Sequence, residues 1–225
     1  MATTAADQVL VMEEFQTIAG FKNVIGAIDC THVRIQAVGG DDAQLFVNRK
    51  GYFSFNVQAV CDAPLKITDL AACWRGSTHD SRIFNESKIK EKFENGNFMG
   101  RLLGDGGYKC TNYLYTPVQN PRDMKEEMYN KVHIKTRNVV ERLFGVWKSR
   151  FRILLEKMRL SRKNAKILIV ALAVLHNLSM IFKEENFSSD EHFDGSIPEG
   201  TATQPLEYNL PDENIHRALY IQQNF

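Results

Sequence analysis

The chain has 225 residues, 44% hydrophobic and 24% charged, with a net charge of +1, the composition of an ordinary soluble globular protein of one large or two small domains. Four cysteines spaced 31, 12 and 37 residues apart, with no CxxC pair, argue against a zinc ribbon or a secreted disulfide framework and for a reducing compartment. No apolar run exceeds Ile167 to Leu175, too short to span a bilayer, and the first residues lack the pattern of a signal peptide. In chain order, Met1 to Ala5 reads as a frayed end, and Gln8 to Ile18 as a short helix that Gly20 terminates. Asn23 to Ile35, Tyr52 to Cys61 and Lys66 to Trp74 read as three strands joined by short turns, an antiparallel meander. The period then changes, and "DSRIFNESKIKEKF" from Asp80 reads as a helix. Arg101 to Leu103 is a short apolar strand ending in Gly104-Asp105-Gly106-Gly107, and the stretch around Pro117 and Pro121 is irregular. Met124 to Phe151 is helical, with Val140, Leu143, Phe144, Trp147 and Phe151 in one apolar stripe, and Ala165 to Phe182 is a second, more apolar helix. A last helix spans Asp212 to Asn224.

The order β-β-β-α-β-α-α is the layout of a ribonuclease-H-like α/β domain, a mixed sheet of an antiparallel meander plus parallel strands flanked by helices, although the pattern alone fits other α/β folds. We divide the chain into a short N-terminal helix (1–20), this domain (21–183), an acidic segment (184–211) and the C-terminal helix (212–225). The near-neutral total hides an uneven charge. Lys131 to Lys166 holds 12 Lys or Arg against Glu141 and Glu156, and Glu184 to Glu213 holds nine acids with no Lys or Arg. A basic helix is a candidate phosphate-binding surface, and its bland alternative is a solvated face.

Four acids stand out on this layout. Asp29 lies inside an apolar strand, where a charge is costly unless it is paired or binds a cation. Asp105 follows the fourth strand in a glycine-rich turn, and Glu141 is an isolated acid on the basic helix. If the first and fourth strands are neighbours, Asp29 and Asp105 sit side by side and the helix lays Glu141 across them. Converging carboxylates need a counter-charge, which Mg²⁺ or Mn²⁺ supplies. Two such ions can activate water and stabilise the leaving oxygen of a phosphodiester. Arg137, Gly145 and Lys148 share the face of Glu141, and Arg142 and Arg150 add basic charge to the same helix. The plainer alternatives are an Asp29–Arg34 pair, a turn role for Asp105, an Arg137–Glu141 pair, and Asp80 as a helix N-terminal acid. His176-Asn177 reads as a satisfied core pair.

"GAIDCTHVRIQA", "NRKGYFSFNVQAVCDA", "GSTHDSRIF", "LLGDGGY", "YNKVHIKTRNVVERLFGVWKSRF" and "VLHN" closely resemble the PIF/Harbinger transposase superfamily, and in particular its transposase-derived nucleases. The resemblance runs from about Phe21 to Phe182. It implies a DDE-type nuclease domain that cuts DNA with a divalent metal, with the catalytic acids at Asp29, Asp105 and Glu141, and Asp80 as a further metal ligand. Between Asp105 and Glu141 lie 35 residues, a spacing typical of that family. Arg137, Lys148, Arg142 and Arg150 are the expected nucleic-acid contacts. The resemblance also implies a nuclear location and a separate Myb-like DNA-binding protein as partner, with no membrane role, and it leaves self-association open. Arg75 and Gly106 depart from the family's usual Pro and Ser. Only about 20 residues precede the matching region, where family members usually carry a further helical DNA-binding part. The alternative reading is a domesticated, non-catalytic DNA- or protein-binding module.

Overall fold

The computed structural model describes residues 1, 4–182 and 215–225. The acidic segment 184–211 lies outside the described residues. Five strands, β1 (Val24–Arg34), β2 (Ser54–Cys61), β3 (Ile67–Arg75), β4 (Arg101–Leu103) and β5 (Leu114–Tyr115), form one sheet in the order β3-β2-β1-β4-β5. β1, β2 and β3 pair antiparallel, as expected of a meander, and β4 and β5 join in parallel. This is a mixed α/β sheet of the ribonuclease-H-like kind.

Alternation along β2 shows how the sheet is covered. Phe55, Val57, Ala59 and Cys61 enter one apolar cluster, and Val60 enters the other. Strand residues two apart share a face, so two layers cover the two faces. On the first pack α1 (Ala5–Ala19), α4 (Met124–Arg150), α5 (Arg162–Ile181) and α6 (Ile215–Asn224). On the second pack α2 (Asp80–Asn85) and α3 (Lys88–Glu94), through Phe84, Ile89 and Phe93.

Local chemistry accounts for the departures from the sequence reading. α1 starts at Ala5, not Gln8, because the Thr4 hydroxyl accepts from the Asp7 N–H at 3.1 Å. The single helix expected from Asp80 is two, since Ser87 caps α3 by accepting from the Lys90 N–H. β5, inside the stretch read as irregular, has only two residues and no periodicity to reveal it. Its place is set by parallel pairing with β4. α4 begins at an Asp123 cap. The buried Tyr129 and His133 of α4 donate to the carbonyls of Thr116 and Tyr115 at 2.9 and 3.0 Å, which ties the helix to β5.

α5 is held to β3 by the expected core pair. His176 bonds the Leu65 carbonyl at 2.8 Å, and the Asn177 amide both accepts from the Ile67 N–H and donates to the Ile67 carbonyl. The outward side of α5 is apolar, with Ile167, Val170, Val174, Leu178 and Ile181 exposed. By length and composition the whole helix is apolar enough to cross a membrane, although the run Ile167 to Leu175 by itself is too short. Its inner side is core, with Ala165, Ile169, Leu172 and Ala173 buried. Asn177→Ala strands both backbone groups of Ile67. It is expected to cost about 1–3 kcal/mol, read as a fall of roughly 2–4 °C in Tm per kcal/mol by calorimetry.

Candidate active site

The site follows from strand register. Ala27 of β1 pairs with Leu103 of β4 in parallel. Two residues on, past the ends of that pairing, come Asp29 and Asp105. Parallel strands advance together, so the two carboxylates reach the same edge. Asp29 shares the face of Ala27 and Val33, which both belong to the cluster under α4, and it therefore meets α4. Gly26 lets β1 lie close to its neighbours, since a Cβ there would stand 2.7 Å from Val60 Cγ1 and 2.9 Å from Leu102 Cδ2.

Arg137 of α4 joins the acids. Its Nη1 donates to Asp29 Oδ2 at 3.0 Å, and its Nη2 donates to Glu141 Oε1 at 2.5 Å, one helical turn on. The arginine side chain is 12% exposed, Asp29 18% and Glu141 43%. The other Asp29 oxygen, Oδ1, accepts from the Cys30 N–H at 2.7 Å. Burial first, then the neighbouring Asp105 carboxylate, push the Asp29 carboxyl up to about 7, against the pull of Arg137 and the Cys30 amide. Burial also raises Asp105, while the Gly107 N–H, donating to its Oδ1 at 3.0 Å, and Arg137 lower it. Glu141 does pair with Arg137, the plainer alternative at that position. Asp29 pairs with Arg137 rather than with Arg34.

Asp80 approaches from the other face of the sheet. Its Oδ1 accepts from Asn56 Nδ2 at 2.8 Å, and the same amide donates to the Thr78 carbonyl at 2.9 Å. Burial, then the Asp80 charge, raise the Cys30 thiol, which lies 3.4 Å from the Tyr108 hydroxyl on that face. Its charge also reaches Asp29 and Asp105. The "RGST" turn before it needs glycine, because a Cβ at Gly76 would meet the Phe46 and Ser54 carbonyl oxygens at 2.5 and 2.8 Å. Sequence reasoning missed Asn56. The only trace of it was a polar residue at an alternating position of β2.

Among the basic residues, Lys148 Nζ donates to Thr31 Oγ1 at 2.7 Å and to the His32 carbonyl at 3.0 Å, clamping α4 onto β1. Burial, then Lys50, lower its ammonium to about 8. Arg142 is exposed beside Glu141. Arg150, nine residues past Glu141, falls about half a turn round the helix, and its charge is felt by His176. The structure thus gathers Asp29, Asp105, Arg137 and Glu141, sets Asp80 behind them, and leaves Arg150 apart.

A divalent metal fits the chemistry of this donor set, which is hard carboxylate oxygen. Two of the acids already share one cationic group, and burial, then the Asp105 charge and last the Asp80 charge, raise Asp29. As the side chains stand, no three His, Cys, Asp or Glu among the described residues are grouped to hold an ion together.

A family model described as DDE superfamily endonuclease matches residues 28–177. The chain belongs to the DDE superfamily of endonucleases. Its relatives include proteins named "Putative nuclease HARBI1". The rat protein is 34% identical over 93% of this chain and 61% of its own length, and the human protein 35% over 75% and 49%. "Protein ALP1-like" of Arabidopsis thaliana is 24% identical over 78% of this chain and 47% of its own. The chain thus spans about half to three fifths of the length of these curated relatives. No solved structure matches it. The Harbinger-nuclease resemblance drawn from the motifs is to the family the comparisons find. In this DDE endonuclease domain, the matched span opens one residue before Asp29 and closes on Asn177, so it contains all four acids.

Proposed function

We propose that this DDE domain is a divalent-metal-dependent nuclease that hydrolyses DNA phosphodiester bonds, with Asp29, Asp105 and Glu141 as its catalytic acids and Asp80 as a further metal ligand. The observation that carries it is the single guanidinium bridging the strand acid and the helix acid, with Asp105 at the same sheet edge. Bound Mg²⁺ or Mn²⁺, acting as a pair, would activate water and stabilise the leaving oxygen. The protein's part is to hold hard oxygen donors on β1, after β4, on α4 and at the start of α2, partly shielded from water. Asn56 fixes one oxygen of Asp80, and the Cys30 and Gly107 amides fix one each of Asp29 and Asp105. Arg142 and Arg137 offer positive charge to the DNA backbone, while Lys148 keeps α4 seated on β1. Arg150, about half a turn round α4 from Glu141, would meet DNA apart from the acids.

The test is cleavage of duplex DNA at substoichiometric protein with Mn²⁺. Chelation by EDTA should stop it, and Asp105→Asn and Glu141→Gln should each lower it by more than about 100-fold, the upper end of what an outer-shell partner contributes. Full activity in Glu141→Gln would defeat the assignment.

A second reading has its own support, because no three acids among the described residues stand grouped for one ion. It makes the domain a DNA- or protein-binding module with a vestigial site. DNA binding without turnover in every metal would favour it. A nuclear location and a Myb-like DNA-binding partner belong to both readings, and pull-down with a tagged Myb-like domain tests the second of them.

A further inference from the structure

Arg137 is placed unlike the other basic residues near the acids. Lys148 spends its ammonium on Thr31 and the His32 carbonyl of β1. Arg49 acts on Asp105 more weakly than Arg137 does. Arg137, by contrast, sets one prong of its fork on Asp29 and the other on Glu141, and its side chain is 12% exposed. Asp105 feels it as well. A planar guanidinium matches two carboxylate oxygens in this way. Asp29 Oδ2 and Glu141 Oε1 belong to the two carboxylates that a divalent ion would take as ligands. A dication and a guanidinium on the same carboxylates also repel each other strongly in a partly desolvated site.

We propose that Arg137 is a built-in counter-cation of the metal-free site, which holds Asp29 and Glu141 near each other and must leave them when a divalent ion binds. This rests on the reading of the acids as metal ligands. Its consequence is a competition: metal affinity is set partly by what it costs to displace the arginine. The displaced fork stays at the same edge with its charge free for a phosphate, so loading of metal and grip on DNA pass through one side chain.

The experiment is calorimetric titration of Mn²⁺ into the full chain and into Arg137→Gln, with Asp29→Asn as control. Gln keeps polar length and removes the charge. Arg137→Gln should bind Mn²⁺ about tenfold tighter or more, the equivalent of ~1.4 kcal/mol of lost competition. A merely structural arginine would, on removal, loosen the site and weaken binding. The native chain should bind, and Asp29→Asn should not. Native binding that Asp29→Asn abolishes, with equal or weaker binding in Arg137→Gln, overturns the counter-cation and leaves the metal reading standing. Absence of binding in the native chain, with and without DNA, overturns both. If Arg137→Gln does not fold, the native chain still decides. In arginine side-chain ¹⁵N–¹H spectra, Mg²⁺ should shift the Arg137 signals and speed their exchange with water, and an unmoved, protected Arg137 at saturating Mg²⁺ overturns the proposal.

Discussion

Asn in place of Asp29 is expected to reduce metal-dependent cleavage by more than about 100-fold while leaving the metal-free protein folded and, near pH 8, more stable than the native chain. Both effects come from one environment. Asp29 sits on the α4 face of β1, mostly buried, beside Asp105 and within reach of Asp80. An ionised carboxylate there is held against desolvation and like charge, and this is what makes it a strong ligand for a cation. Asn has the same shape, and its carbonyl oxygen can still accept from Arg137 or from the Cys30 N–H, the two donors to Asp29. It brings no charge. Cleavage assays and thermal denaturation on the same preparation check the pair of outcomes. Intact cleavage would remove Asp29 from the mechanism. Lost cleavage with a collapsed Tm would make its role structural.

The second large effect is on pH dependence. Folding raises the Asp29 carboxyl from its ordinary 3.8 to about 7. The folded state therefore binds the proton more tightly than the unfolded state. The resulting stability is fully present below about pH 4 and is lost as pH rises through 7. On the order of a few kcal/mol is involved, which should show as a growing stability gap between the native chain and Asp29→Asn from pH 4 to 7 and a level one above. The comparison has to be a difference, because other groups titrate in the same range. His133, lowered to about 4 by burial, works the opposite way, adding stability that is lost as pH falls through 4. Lys148, lowered to about 8 by burial, contributes stability present above its ordinary 10.5 and lost as pH falls through 8. Metal-free native protein should thus carry its largest electrostatic burden from Asp29 and Lys148 near pH 7 to 8. Added Mn²⁺ should raise the Tm most there, because the ligands must be deprotonated to bind. A native-minus-variant difference flat from pH 4 to 7 would refute the raised carboxyl.

Much of this molecule is determined by short-range rules that act along the chain. Alternation in β2, the apolar stripe of α4, the Asp123 and Ser161 caps and the Gly20 terminus need no knowledge of what lies opposite. Asp29 and Glu141 could be singled out in the same way, since a charge in an apolar strand or alone on a basic helix is locally anomalous. Asp105 and Asp80 look locally like a turn acid and a helix N-terminal acid, and stand out only by layout and family resemblance. What those rules cannot reach is partnership. β5 has two residues and exists because β4 lies beside it. The break between α2 and α3 depends on one serine choosing a backbone N–H over solvent. Arg137 is an ordinary helix arginine by sequence, and a choice between Asp29 and Glu141 as its partner could not be made there. The tertiary fold gives it both, because the parallel register of β1 with β4 and the packing of α4 on β1 bring groups 108 positions apart within a hydrogen bond. Lys148 is a candidate phosphate ligand by spacing and a clamp on β1 by contact. Local propensity depends on neighbours in sequence, while ion pairing and burial depend on neighbours in space, and only the folded chain specifies those.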